Sequence, residues 1–150
     1  AVNPNDGTNA MRFVTALIYL GKPGQAVRLA EATIQHTNPY PEWFLADLAE
    51  AYFFARRNDD AVAVIEKIPE AEMTEDRAAA ICALAYAGKL DSARAHAEQY
   101  LAQLRANWMG DPQASVADML AWEFQYFLPS CRPEDVEYVR DGLRNAGLPA

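Results

Sequence analysis

The chain has 150 residues, of which 51% are hydrophobic and 23% charged; this balance excludes intrinsic disorder and suffices for one domain with its own core. The 21 acidic and 13 basic side chains give a net charge of −8, which argues against a surface for nucleic acid or anionic membrane. Cys82 and Cys131 make no disulfide framework, which is typical of a reducing compartment. We therefore expect a soluble, cytoplasmic protein without a membrane segment.

Apolar periodicity and helix punctuation predict eight helices in chain order. Their predicted ranges are residues 8–20, 23–36, 41–55, 58–68, 74–87, 90–106, 112–128 and 133–146. Four prolines fall at or near a predicted first turn, where the missing amide donor costs nothing: Pro23, Pro41, Pro112 and Pro133. Three glycines follow predicted helices, where a left-handed residue is usually needed: Gly21, Gly88 and Gly147.

An internal repeat links the first six of these helices. Three short polar turns (residues 20–26, 56–61 and 88–93) each lead into a helix that opens on alanine. The alanines that close the turns, Ala26, Ala61 and Ala93, recur at intervals of roughly 34 residues. Two antiparallel helices with short turns use about that length, and alanine lets their backbones approach where they cross.

This pattern resembles the tetratricopeptide repeat. The second unit carries it best, with Leu48, Ala49, Tyr52 and Ala61. The resemblance implies an all-α fold, a right-handed α-α superhelix (a TPR-like solenoid) of about four helical hairpins. We expect a single domain over residues 1–150. Its units are expected at residues 8–37, 41–69, 74–106 and 112–147, the last serving as a C-terminal cap.

Two further stretches, residues 38–45 and 135–149, are similar to the C-terminal repeat region of certain bacterial proteins. In that group the repeats follow a class III adenylate/guanylate cyclase domain or a winged-helix DNA-binding domain. The resemblance implies a scaffold or sensor region attached to a signalling output, and it carries over no catalytic residue. Because residues 2–5 fall where a preceding repeat would end, we expect the chain to be a fragment of a longer protein.

The sequence carries no reactive constellation that we recognise. His36 and His96 are the only histidines, and neither has zinc-ligand spacing to a second nitrogen or sulfur ligand. Asp59 and Asp60 are interpreted as acids at a helix N-terminus. No phosphate-binding glycine loop or nucleophile motif is present. We therefore expect no catalytic residue, no metal and no cofactor, although an attached catalytic domain such as an adenylate cyclase is possible.

Without a catalytic or metal-binding motif, the sequence favours a binding surface as the functional feature of the chain. In a solenoid of this kind the first helix of each pair lines the concave wall, and aromatic side chains interleaved with a few charges are what a peptide-binding groove requires. The residues expected to line the groove are Arg12, Thr15, Tyr19, Trp43, Asp47, Glu50, Phe54, Tyr86 and Trp122. The carboxylates suggest an electropositive partner, and the alanine run 78–80 leaves room for a helix.

The leading prediction is a non-catalytic scaffold that binds a protein or peptide segment in this groove, with no nucleic acid and no membrane as partner. One alternative is an intramolecular regulatory region of a nucleotide cyclase or transcriptional regulator, in contact with its own upstream domain. A further alternative is a self-assembly module, if Trp108, Met109 and Trp122 form an exposed apolar patch.

Overall fold

The computed structural model describes residues 7–68, 77–127 and 131–150. Within these ranges the chain forms eight α-helices and no β-strand, so the all-α prediction is confirmed. The helices are α1 (Gly7–Tyr19), α2 (Pro23–His36), α3 (Trp43–Phe54), α4 (Asn58–Ile65), α5 (Arg77–Tyr86), α6 (Leu90–Ala106), α7 (Val116–Phe127) and α8 (Pro133–Asn145). The unit boundaries expected at residues 69 and 74 lie outside the described residues. None of the described helices combines the length and hydropathy that crossing a bilayer requires.

The first six helices pack as three successive pairs, α1 with α2, α3 with α4 and α5 with α6. The first helices of the pairs also touch one another, because α1 contacts α3 and α3 contacts α5. They therefore form one continuous layer. We call the side of this layer that carries Thr15, Tyr19, Asp47, Glu50 and Tyr86 the inner face.

The first helices of all three pairs end in the same hydrogen-bonded turn. At the end of α1 the amide of Gly21 donates to the carbonyl of Ile18 at 2.9 Å, and that of Lys22 donates to the carbonyl of Leu17 at 2.9 Å. The same two bonds close α3 and α5. This is the Schellman arrangement, which requires a left-handed residue directly after the helix.

Ala26, Ala61 and Ala93 occupy the equivalent position in the helix that follows each of these turns, and all three are completely buried. A larger side chain would push the two helices of a pair apart, since interiors are packed without spare volume. The repeat visible in the sequence is therefore a repeat of turn geometry and of close helix crossings.

Arg56 breaks the glycine pattern of these turns. Gly21 and Gly88 have φ values of 69° and 77°, as expected from their residue type, and Arg56 adopts φ 63° at the equivalent place. A left-handed backbone costs a residue with a Cβ roughly 1–2 kcal/mol. The side chain of Arg56 makes contacts with α8 that offset this cost, and these are described below.

Helix α7 begins later than the sequence prediction of residue 112. Ser115 precedes the first turn, and its hydroxyl accepts a hydrogen bond from the amide of Asp118 at 3.1 Å. In return the Asp118 carboxylate accepts hydrogen bonds from the Ser115 amide at 3.0 Å and hydroxyl at 2.6 Å. This reciprocal cap places the helix start at Val116, and Pro112 lies in the turn before it.

Helix α8 packs on the layer of first helices, and the segment that begins it reaches all three of them. Arg132, just before α8, reaches the end of α1, where its Cδ would lie 2.7 Å from a Cβ added at Gly21. Asp135 bonds Arg56 at the end of α3. Gly142 lies against Cys82 of α5, and α5 is the most extensive partner of α8. The helix therefore covers part of the inner face.

Candidate interaction groove

An open groove of about 740 Å³ occupies the inner face beside α8. Six helices contribute to it, namely α1, α3, α5, α6, α7 and α8. We call it the acidic groove. Its lining residues are Thr15, Tyr19, Asp47, Glu50, Phe54, Ala78, Ala79, Tyr100, Gln103, Leu104, Asn107, Leu120, Glu123, Phe124, Val139 and Leu143.

Helical register places the lining residues of α1 and α3. Thr15 and Tyr19 are four residues apart, so they lie one above the other on α1. On α3 the intervals from Asp47 to Glu50 and from Glu50 to Phe54 are three and four residues, so these side chains also share one face. Between these stripes and α6, helix α5 contributes only Ala78 and Ala79, whose short side chains leave the volume of the groove empty.

The charge of the acidic groove is of one sign. Asp47, Glu50 and Glu123 line it, and among the described lining residues none is Lys, Arg or His. Burial raises the pKa of the Glu123 carboxyl above its ordinary value, since the ionised form loses water. Burial also raises the pKa of Tyr100 above the ordinary value of a phenol, which is already protonated at neutral pH. The groove therefore combines carboxylates with aromatic and aliphatic walls.

The part of the inner face next to the groove is filled by the ring of Tyr138 from α8. This ring stacks on Tyr86 at 4.3 Å between centroids and on Phe53 at 5.0 Å. The guanidinium carbon of Arg56 lies 3.7 Å from its centroid. The Asn58 amide donates to the Tyr138 hydroxyl at 2.6 Å. We call this set of contacts, together with Asp135, the α8 clamp.

Asp135 carries the charge of the α8 clamp and is almost completely buried. Its carboxylate accepts a hydrogen bond from Arg56 Nη2 at 2.7 Å and another from Arg132 Nε at 2.8 Å. Both arginines remain partly exposed. A buried carboxylate is stable when it is paired and hydrogen-bonded in this way. The charge of Asp135 is thus neutralised within the protein by the two arginines.

Five of the nine residues predicted for the binding surface line the acidic groove: Thr15, Tyr19, Asp47, Glu50 and Phe54. Arg12 and Trp43 belong to the same helical stripes of α1 and α3, one turn closer to the helix N-termini, and they lie beyond the groove. Arg12 is exposed, and Trp43 packs edge-on against Phe44 with 4.5 Å between ring centroids. Phe54 is 4% exposed, so it belongs to the core as well as to the groove.

Tyr86 and Trp122 lie outside the groove for different reasons. Tyr86 is under α8, where its hydroxyl donates to the carbonyl of Tyr138 at 2.9 Å. Burial, with a smaller effect of Tyr138, raises the pKa of Tyr86 to about 12. Trp122 faces the opposite side of α7 and packs edge-on against Trp108 at 5.8 Å. The side of α7 that faces the groove carries Glu123 and two apolar residues instead.

The sequence prediction places the groove on the first helix of each pair. It therefore misses the lining residues that come from α6, α7 and α8. Helix α6 has 17 residues and is the longest of the described helices. Its last turns reach the groove with Tyr100, Gln103 and Leu104, and Asn107 follows directly after the helix. These residues recur at helical spacing, which identifies a common face but not the surface that this face covers.

The thiols and metal-ligating residues offer no second site. Burial raises the pKa of Cys82 strongly and that of Cys131 to about 11, so both thiols are protonated at neutral pH. Within the described ranges no group of three His, Cys, Asp or Glu side chains is arranged to hold a metal ion.

Comparison with known proteins identifies the repeat region. The family model described as the tetratricopeptide repeat matches residues 17–85, a range that runs from the last turns of α1 to α5. No curated protein and no solved structure matches the chain. The similarity to bacterial cyclase and winged-helix proteins is not shown by these comparisons. Residues 17–85 are thus similar to the tetratricopeptide repeat family, whose members are generally non-catalytic and mediate protein–protein interaction.

Proposed function

We propose that the chain is a non-catalytic interaction module that binds a peptide or helical segment of a partner protein in the acidic groove. The observation that carries this proposal is the open volume of about 740 Å³ on the inner face. A volume of this size accommodates several side chains of a bound segment. Six of the sixteen lining residues belong to the matched repeat region, and most of the others come from α6, α7 and α8. The proposal therefore concerns a groove shared between the repeats and the helices that follow them.

The lining supports a peptide as the partner. Tyr19, Phe54, Tyr100 and Phe124 supply rigid apolar contact area, while Gln103 and other polar groups can fix the register of a bound main chain. The carboxylates favour an electropositive segment through long-range attraction, which accelerates encounter and weakens with added salt.

Selection of random 12-residue peptides displayed on phage, with the 150-residue chain as bait, tests this proposal. Ala78→Phe fills the groove from α5 and should abolish binding of the selected peptides. Ala102→Phe adds the same ring at an exposed position of α6 that does not line the groove, and it should leave binding unchanged. Equal binding to both variants, or the absence of any peptide that distinguishes them, contradicts the proposal.

A self-assembly module is a second candidate, and one surface supports it. Met109 is 96% exposed and Trp122 is 41% exposed; Trp122 and Trp108 border a shallow hollow of about 420 Å³. Trp122→Gln should abolish any increase of sedimentation mass with concentration, whereas Trp43→Gln, a change at an exposed tryptophan on another helix, should not. A monomeric mass at high concentration contradicts this candidate. The regulatory role beside a cyclase or transcription domain stays a prediction.

A further inference from the structure

Glu123 is the carboxylate of the acidic groove that burial has partly removed from water. It projects from α7 into the groove, and burial is the cause of its raised pKa. Within the described residues no Lys, Arg or His forms an ion pair with it. Nearby arginine charge is engaged elsewhere, since Arg140 of α8 pairs with Glu137. A partly desolvated carboxylate costs folding free energy that an incoming cation can recover.

The walls around Glu123 suit the stem of a long cationic side chain. Tyr100, Leu104, Leu120 and Phe124 line this side of the groove. Lysine and arginine lay their methylene groups along such surfaces while the charged head stays in a polar environment. The flat rings also attract a cation that lies over them.

Three arginine side chains of the described residues already lie on aromatic rings in this way. Arg56 lies over Tyr138, Arg57 lies over Tyr52 at 4.5 Å, and Arg140 lies over Phe124 at 4.8 Å. The last pair is at the border of the groove, because Phe124 is one of its lining residues. A guanidinium group therefore fits the aromatic surfaces of this region.

We infer that the segment bound in the acidic groove inserts one lysine or arginine side chain against Glu123, and that Glu123 is the residue that selects for it. This inference rests on the proposed function. An acidic segment is disfavoured because it would face Asp47, Glu50 and Glu123 together. An apolar side chain at the same place would displace water from Glu123 without supplying a hydrogen-bond partner.

A double-mutant cycle tests the inference on the peptides selected as above. Each Arg of a selected peptide is replaced by citrulline and each Lys by norleucine, and the dissociation constants are measured by fluorescence anisotropy. We expect one such replacement to weaken binding to the wild-type chain by about tenfold or more. With Glu123→Gln the same replacement should change the affinity less than about twofold, because the two groups form one interaction. Glu98→Gln, an exposed carboxylate of α6 outside the groove, should behave as the wild type.

The outcomes separate the inference from the proposed function. Selected peptides that need the open groove but contain no Lys or Arg overturn the inference and leave the proposed function standing. The inference is also overturned, and the proposed function again stands, if neutralising a cation weakens binding equally in the wild type and in Glu123→Gln. If no peptide depends on the groove, both are overturned.

Discussion

Two neighbouring parts of the inner face are built by the same three helices, yet they differ in what covers them. In the part occupied by the α8 clamp, Tyr138 fills the space and Asp135 is paired with two arginines. In the part beside it an open groove is lined by three carboxylates, and none of its described lining residues is Lys, Arg or His. A single helix packed on the layer thus separates a part filled by the protein's own side chains from a part that stays open.

Of the substitutions considered, Gly142→Ala should lower the stability of the protein most. A Cβ at Gly142 would lie 2.6 Å from Cys82 Cβ and 3.1 Å from Cys82 Cα, so α8 would have to move away from α5. We expect a loss of about 1–3 kcal/mol in the free energy of unfolding, measured in urea. Gly24→Ala in α2 is the control, since its added Cβ has no neighbour closer than 3.9 Å. Equal stability of the two variants contradicts the described contact.

Asp135→Asn should have the next largest effect. The change removes the charge that accepts hydrogen bonds from Arg56 and Arg132 in a buried place. The expected loss is about 2 kcal/mol in the free energy of unfolding. Asp141→Asn, in an exposed pair with Arg144, should change stability by less than about 0.5 kcal/mol. A similar small effect at both positions would show that the α8 clamp holds little charge-dependent free energy.

Two substitutions of Arg56 separate backbone strain from side-chain contacts. Arg56→Ala and Arg56→Gly both lose the ion pair and the contact with Tyr138, but only glycine relieves the left-handed backbone. We expect the glycine variant to be more stable than the alanine variant by about 1 kcal/mol. Gly88→Ala measures the same backbone cost alone, because its added Cβ meets nothing within 4 Å. Equal urea midpoints for the two Arg56 variants would contradict strain at this residue.

Glu123→Gln should have the smallest effect on the free energy of unfolding. The sign of this effect shows whether Glu123 stabilises the folded protein or lowers its stability. Because burial raises the pKa of Glu123 in the folded protein above the ordinary value of 4.5, the folded state retains its proton to higher pH than the unfolded state. The contribution to stability is present below pH 4.5 and is lost as the pH rises through the folded pKa. Glu123→Gln should therefore match the wild type at low pH and be slightly more stable at neutral pH. Greater stability of the wild type at neutral pH would mean that Glu123 has a structural role.

Local rules suffice to predict most of the fold. The glycines expected to follow helices, Gly21, Gly88 and Gly147, all have positive φ. The start of α7 is also readable in the sequence, because Ser115 and Asp118 have the spacing of a reciprocal cap, but Pro112 favours an earlier start that is wrong. The left-handed Arg56 cannot be predicted from its residue type, since its conformation depends on contacts with the distant helix α8.

Residues of the candidate site can be predicted from the sequence only where the register of a single helix is enough to place them. Thr15, Tyr19, Asp47, Glu50 and Phe54 follow from the register of α1 and α3. The contributions of the later helices depend on how these pack on the layer, and apolar periodicity gives the buried stripe of a helix without its partner. For this reason the sequence predicts Trp122 in the groove, whereas the neighbouring Glu123 lines it.

The position of α8 has a consequence for the groove itself. Val139 and Leu143 of α8 belong to its lining, and the same helix is held against α3 and α5 by Asp135 and Tyr138. A substitution that loosens these contacts should therefore change the width of the groove as well as the stability of the protein.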